Sequence, residues 1–294
     1  MKEFVSPKQV AQAIGVSESS LKRWCDRGLL AMVKTGGGHR RIAVSDVVRF
    51  VRETKQLLHD PKALGLDLEL GDALKGEPTV EKCRVPFIES LKGGDEKRVI
   101  SLAMECYLAG NSLAELGDQL IAPAFHEIGD AWSCEHLQVY EERRACEICL
   151  RLIHQWRELL GRPEESVPLA IGGTIEGDFY QIATSMAELT LRESGWRAEN
   201  LGSGIPFHSL RTAILQQEPR LVWLSISHIA DVNAFRQGMN ELWGTCDERG
   251  VALLIGGRAF TETWRKELRY SCHAESFSHT RNFAIALLKG AGGN

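Results

Sequence analysis

No run of about eighteen apolar residues occurs in this chain, so nothing in it reads as a membrane-spanning helix. The opening Met1-Lys2-Glu3-Phe4 lacks the apolar core of an export signal, and the expectation is a cytoplasmic protein that uses no membrane. Eight cysteines, at 25, 83, 106, 134, 146, 149, 246 and 272, lack the framework spacing of a disulfide scaffold, and reduced thiols are expected. A Ser-His-Asp set, a glycine-rich phosphate loop and a full metal-ligand spacing are also missing, which argues against an enzyme. Cys146-x-x-Cys149 is the nearest approach to a metal motif. With His154 as a loose further ligand, it reads as two core thiols.

A strong net charge is missing too, but only on average. The formal charge is −4, yet residues 1–60 carry 11 Lys and Arg against 6 Asp and Glu, and the remainder 24 against 33. A small basic head on an acidic body suits a phosphate-binding module carried by a sensor or assembly module. At 294 residues, 44% hydrophobic, the chain is long enough for two or three domains with real cores.

The head is expected over residues 1–58. Ser6-Pro7-Lys8-Gln9 is a helix start, with Ser6 as cap, Pro7 at the first helical position and Gln9 completing a capping box. Gly15 ends that helix and Ser17 opens another, with Leu21 and Trp24 on its buried face. Ser19, Ser20, Lys22 and Arg23 lie on its other face, suited to phosphate and base-edge contacts. Thr35-Gly36-Gly37-Gly38-His39-Arg40-Arg41 then reads as a hairpin with positive charge at its tip, and a third helix runs from Val44 to about Leu57. This order resembles the winged helix-turn-helix of the MerR family. The resemblance implies a double-stranded DNA operator, with Lys22 and Arg23 on the major-groove side and His39, Arg40 and Arg41 in the wing. A head this small implies a homodimer or homotetramer on repeated sites.

Residues 59–79 mix proline, glycine and charge and read as a linker. Apolar residues at intervals of three and four over 80–163 predict a four-helix bundle, broken at Gly93-Gly94, Gly110-Asn111, near Pro123 and around Ser133. Over 167–294 strand and helix alternate. Strands are expected at 168–172, 197–201, 221–227, 252–255 and around 274–277, and helices near 179–194, 206–217, 231–249, 261–270 and 278–289. Five such units predict a Rossmann-like, doubly wound parallel sheet with ligands beyond the carboxyl ends of its strands.

Leu120 to Trp132 resembles the helical segment that precedes the Rossmann-like half of cobalamin-binding modules, as in the CarH family of cobalamin-dependent, light-sensing repressors. The later order is similar as well: Asp178-Phe179-Tyr180-Gln181-Ile182-Ala183 after the first strand, Ser225 and Ser227 with His228 after the third, and Gly256-Gly257-Arg258 after the fourth. The resemblance implies Trp132 and Glu142 at the upper face of a corrin and Asp178 below it. It also implies a cobalt-ligating His where Tyr180 stands and a second His where Arg143 stands. A phenol is a poor substitute for imidazole, and Ala183 replaces the glycine at the entry of the nucleotide tail. The ligand expected is therefore a different tetrapyrrole, a bilin or haem before cobalamin. Arg143 and Arg258 would pair its propionates, Trp132 and Tyr180 would be stacking walls, and a bilin would act as a light-sensing chromophore. Cys134 and His136 are further candidates to attach it. The sequence leaves open a ligand-controlled transcriptional repressor, or a ligand-independent regulator or antirepressor that uses the fold for oligomerisation and protein contacts; a third function, a corrinoid methyl-transfer or mutase enzyme, needs the missing cobalt-ligating His.

Overall fold

The computed structural model describes residues 3–66, 68, 79–133 and 137–290. The chain forms two compact units: residues up to Ser112 with Gln119–Gly161, and Leu113–Asp118 with Arg162 onward.

The first unit begins as the sequence predicts. The Ser6 hydroxyl accepts the Gln9 N–H at 3.3 Å, and Gln9 Oε1 accepts the Ser6 N–H at 2.9 Å. This capping box starts α1 (Pro7–Ile14), which Gly15 ends at φ 75°. Ser17 caps α2 (Glu18–Asp26). Three short strands follow the order β1-β3-β2: β1 (Phe4–Val5), β2 (Val33–Lys34) and β3 (Arg40–Ala43), all antiparallel. The third helix, α3, is shorter than expected, Val44–Thr54, and Lys55 ends it in a left-handed conformation at φ 53°. Val10, Ile14, Leu21, Ile42, Val47 and Val51 form the core of this head. Trp24 closes it against Phe50, ring centroids 4.9 Å apart.

The segment read as a linker belongs partly to the head. His59 and Asp60 donate their N–H groups to Ala13 O at 2.8 and 3.1 Å. Asp60 then caps a 3-10 turn, Pro61–Leu64, whose Pro61 and Leu64 are buried. Residues 67 and 69–78 lie outside the described residues.

The bundle helices are α4 (Val80–Gly93), α5 (Glu96–Leu108), α7 (Ala122–Ser133) and α8 (Val139–Leu160); the short α6 (Leu113–Leu116), which precedes α7 in the chain, belongs to the second unit. Between α6 and α7 the backbone widens to a π turn, Gly117–Ile121. Pro123 follows directly, and its missing N–H cannot continue a regular α-helical ladder. Phe87, Leu91, Leu102, Tyr107, Leu152 and Trp156 fill the interior of the bundle. Arg52 of α3 reaches this layer. Its guanidinium lies 3.8 Å over the Tyr107 ring and donates to Tyr107 O (3.0 Å) and Asn111 O (2.8 Å).

The second unit is a five-stranded parallel sheet of order β5-β4-β6-β7-β8. Its strands are β4 (Leu169–Thr174), β5 (Arg197–Asn200), β6 (Leu221–Ser225), β7 (Ala252–Gly256) and β8 (Cys272–His273). The helices are α9 (Gln181–Glu193), α10 (Phe207–Gln217), α11 (Val232–Arg249), α12 (Glu262–Glu267) and α13 (Phe277–Gly290). One face packs Ile171, Val222, Leu224 and Ile255 against α10 and α11. The other packs Ala170, Trp223 and Leu254 against α9 and α13. The last strand is not at 274–277 as expected, because Phe277 begins a helix. Its N–H and that of Ser278 are accepted by the Asp118 carboxylate at 2.7 and 2.9 Å. A carboxylate on these first amides favours helix at the position where apolar pattern alone reads strand.

Candidate functional site

The first candidate surface is on the head. Ser19, Lys22 and Arg23 are exposed on α2. Ser20 is not available in the same way, because its Oγ accepts from Arg23 Nη2 at 3.1 Å and lies 3.0 Å from the Ser17 hydroxyl. In the wing, Thr35 N–H bonds to His39 O at 2.9 Å and Gly38 turns the tip at φ 76°. His39 is exposed, while Arg40 and Arg41 are half-buried. The register sets Arg40 directly opposite Lys34. Like charges facing across a ladder are unfavourable, and among the described residues neither forms an ion pair. Arg40 also acts electrostatically on Cys25, which places the base of the wing beside the end of α2.

The second candidate surface is the carboxyl edge of the sheet, at the point between β4 and β6 where the strand order reverses. Asp178, expected to face a ligand, is fully buried. Its carboxylate accepts from Ser227 N (2.6 Å), His228 N (3.1 Å) and Tyr180 N (3.1 Å). It therefore ties the loop after β4 to the loop after β6. Ser227 and His228 take part through their backbone, and the His228 side chain is exposed. Tyr180 is 44% exposed and Phe179 72%. The Phe179 ring lies 3.0 Å from where a Cβ on Gly204 would sit, and the exposed Arg258 guanidinium lies 5.8 Å from the Tyr180 ring centroid.

The space beside the glycines at this edge is mostly occupied by the protein itself. A Cβ on Gly257 would fall 2.3 Å from Ile226 O, and one on Gly256 would lie 3.3 Å from Ala274 O. On β4, a Cβ at Gly173 would meet Gly202 O at 2.4 Å, and at Gly172 the space is taken by the Trp223 indole, 2.2 Å away. Trp223 is a residue that pattern reading took only as a strand position. It is buried, and its Nε1 donates to Thr184 of α9 at 3.0 Å. Two residues on, Ser225 points to the same side of β6, and its buried Oγ has no partner among the described residues. A cavity of about 120 Å³ lies on the α10–α11 side, lined by Ile175, Phe207, Ile229, Ala234 and Phe235 among others. It is well below the roughly 300 Å³ of the smallest ordinary ligand pockets.

In the helical unit, Glu142 and Arg143 are paired with each other at 3.5 Å. Trp132 lies in α7, its side chain outside the description, and Cys134 and His136 lie outside the described residues. Cys146 faces Glu142, and burial together with that carboxylate pushes its thiol up to about 12. Among the described residues no group of three His, Cys, Asp or Glu side chains is arranged to hold a metal ion, and no helix is long and apolar enough to cross a membrane.

Comparison with known proteins agrees with both halves. A helix-turn-helix domain family matches residues 4–55, and a B12 binding domain family matches residues 86–155. The HTH-type transcriptional repressor CarA of Myxococcus xanthus is 22% identical over 262 residues, 85% of each chain. Dimethylamine corrinoid protein 1 of Methanosarcina mazei is 24% identical over 134 residues, 44% of this chain and 60% of that protein. The solved monomethylamine corrinoid protein of Methanosarcina barkeri superimposes with a TM-score of 0.60 at 15% identity, over 70% of this chain and 99% of that one. The chain therefore has a CarH-like architecture, a DNA-binding helix-turn-helix domain followed by a B12-binding-type module.

Proposed function

We propose that the chain is a cytoplasmic transcriptional repressor of the MerR type that reads a double-stranded operator with α2 and its wing. Its C-terminal module controls self-assembly on DNA through protein contacts, without cobalamin. The observation that carries the DNA half is the facing pair Lys34 and Arg40, with Arg40 near Cys25 of the helix that exposes Lys22 and Arg23. These cations lack ion-pair partners among the described residues, and phosphates would relieve their repulsion. The similarity to a repressor over most of both chains supports repression.

Cobalamin is the ligand that this fold implies, and the residues present do not fit it in the histidine-ligated, tail-inserted form. Tyr180 stands where a nitrogen ligand is needed, and Asp178 already holds three amides. Trp223 occupies the space over Gly172 between sheet and α9. Among the described residues, Ser225 Oγ is a buried polar atom without a partner on that side. One feature favours a second reading. The exposed aromatic Tyr180, with Arg258 above it, suits a flat tetrapyrrole without a nucleotide tail. In a bilin or haem, a propionate would pair with Arg258 and the ring would stack on tyrosine, and a bilin would make light the signal.

The test is to express the full chain in cells supplied separately with cobalamin, haem and biliverdin. Absorption spectra in darkness and after illumination are combined with selection of bound sequences from random DNA. The proposal expects an enriched operator motif and no cobalamin band. A stoichiometric bilin or haem band establishes the second reading. A stoichiometric cobalamin band overturns the ligand half, and failure to enrich any motif overturns the DNA half.

A further inference from the structure

The helical unit contains a pair of groups that neither DNA contact nor ligand binding uses. Cys83, in the first turn of α4, and Cys106, near the end of α5, are both fully buried. The two helices are consecutive, joined by Gly94 and Asp95, so their far ends meet. The two sulfurs, 23 residues apart in sequence, are 2.7 Å apart in space. That is closer than non-bonded sulfurs settle, and about 0.7 Å longer than the S–S bond of about 2.05 Å.

We propose that Cys83 and Cys106 form a redox modification site, converted to an intramolecular disulfide by a peroxide. The Cys83 thiolate attacks one peroxide oxygen, the O–O bond breaks, and the second oxygen leaves as hydroxide, taking a proton to become water. The Cys106 sulfur then attacks the Cys83 sulfenic acid, the S–O bond breaks, and a second water leaves with the Cys106 proton. Two thiols and one hydrogen peroxide become one disulfide and two waters. The two electrons come from the sulfurs and pass to the peroxide oxygens.

The local chemistry favours Cys83 as the attacking group. Cys106 donates its S–H to the Cys83 sulfur, which lowers the Cys83 thiol from the ordinary range against the opposing effects of burial and Glu105. The same hydrogen bond, together with burial, holds Cys106 protonated. A first-turn position on a helix also favours a thiolate. The bond would form beside the seat of the DNA-binding head. Tyr107, the next residue, carries the Arg52 guanidinium, and Asn111, whose backbone O accepts from Arg52, donates its side-chain Nδ2 to Cys106 O at 2.8 Å.

The full-length reduced protein is treated with hydrogen peroxide, quenched with catalase, denatured, alkylated and mapped by mass spectrometry. The expected result is a peptide joining Cys83 to Cys106, lighter than the two parts by two hydrogens and lost on treatment with dithiothreitol. In Cys106→Ser, which lacks the resolving thiol, dimedone is expected to label Cys83. Alkylation of both cysteines after peroxide treatment overturns the assignment. So does sulfinic acid at Cys83 without a linked peptide, or pairing of either cysteine with another.

Discussion

Asp178→Ala separates a structural carboxylate from a ligand-orienting one. The side chain is fully buried and accepts three N–H groups, one from its own loop and two from the loop after β6. A hydrogen bond to a charged group contributes about 1.5–3 kcal/mol net. Water would re-solvate part of the freed backbone, because His228 and Tyr180 lie at the surface. The loss expected is then about 3–5 kcal/mol, less than the simple sum. For a unit of this size, each kcal/mol moves Tm by roughly 2–4 °C, so the α/β unit should melt about 6–20 °C lower. Asp178→Asn should recover less than half of that. All three partners are donors, and an amide nitrogen in place of either oxygen sets donor against donor. Calorimetry of the full chain reads both variants. If Asp178→Ala melts within about 1 °C of the parent, the carboxylate is not the tie described and is free to serve a ligand.

Three further outcomes follow from the packing and the charges. Trp223→Ala should destabilise the α/β unit by about 3–5 kcal/mol, because a buried indole is removed and Gly172 cannot fill the space; an unchanged melt would mean that Trp223 does not fill the space beside Gly172. Arg52→Ala removes two charged hydrogen bonds and a ring contact, about 2–4 kcal/mol, and should speed proteolysis within the head, whereas unaltered cleavage would refute its part in holding the head to the bundle. Burial first, and then Arg265, depress the pKa of His273 from its ordinary value. The unfolded chain then binds the proton more readily, so this contribution is complete above about pH 6.5 and falls away as pH drops through that value towards the folded pKa. His273→Gln should flatten the pH dependence of Tm between about pH 7 and 5, and an unchanged slope would show that another group sets it.

What was legible in the sequence depended on how far each signal had to reach. Ser6 with Gln9, Ser17 as the opening of a helix, and Gly15 as the end of one act within one turn, and all three do in the structure what the sequence predicts. The alternation of strands and helices in the second unit was readable for the same reason, since short buried strands carry their own apolar runs. The failures involve partners distant in sequence. Strand β1 is only two residues long and exists because β3 pairs with it. The start of α13 depends on Asp118, 159 residues away. The position of Asp178 was recognisable, but the backbone amides at 227 and 228 that it holds were not, because they lie some fifty residues away. Trp223 looked like any strand residue, and only the cross-strand register with Gly172 shows that it fills the space beside that strand.

The most direct test of the account is the salt dependence of binding to the selected operator by the full-length protein and by Arg40→Ala/Arg41→Ala. Each phosphate contact contributes about −0.9 to the slope of log K against log salt. The account predicts tight, strongly salt-dependent binding by the parent and a slope shallower by about two units in the double variant, with an unchanged melting profile. Binding no tighter than to random DNA, or identical slopes for the two proteins, would contradict it.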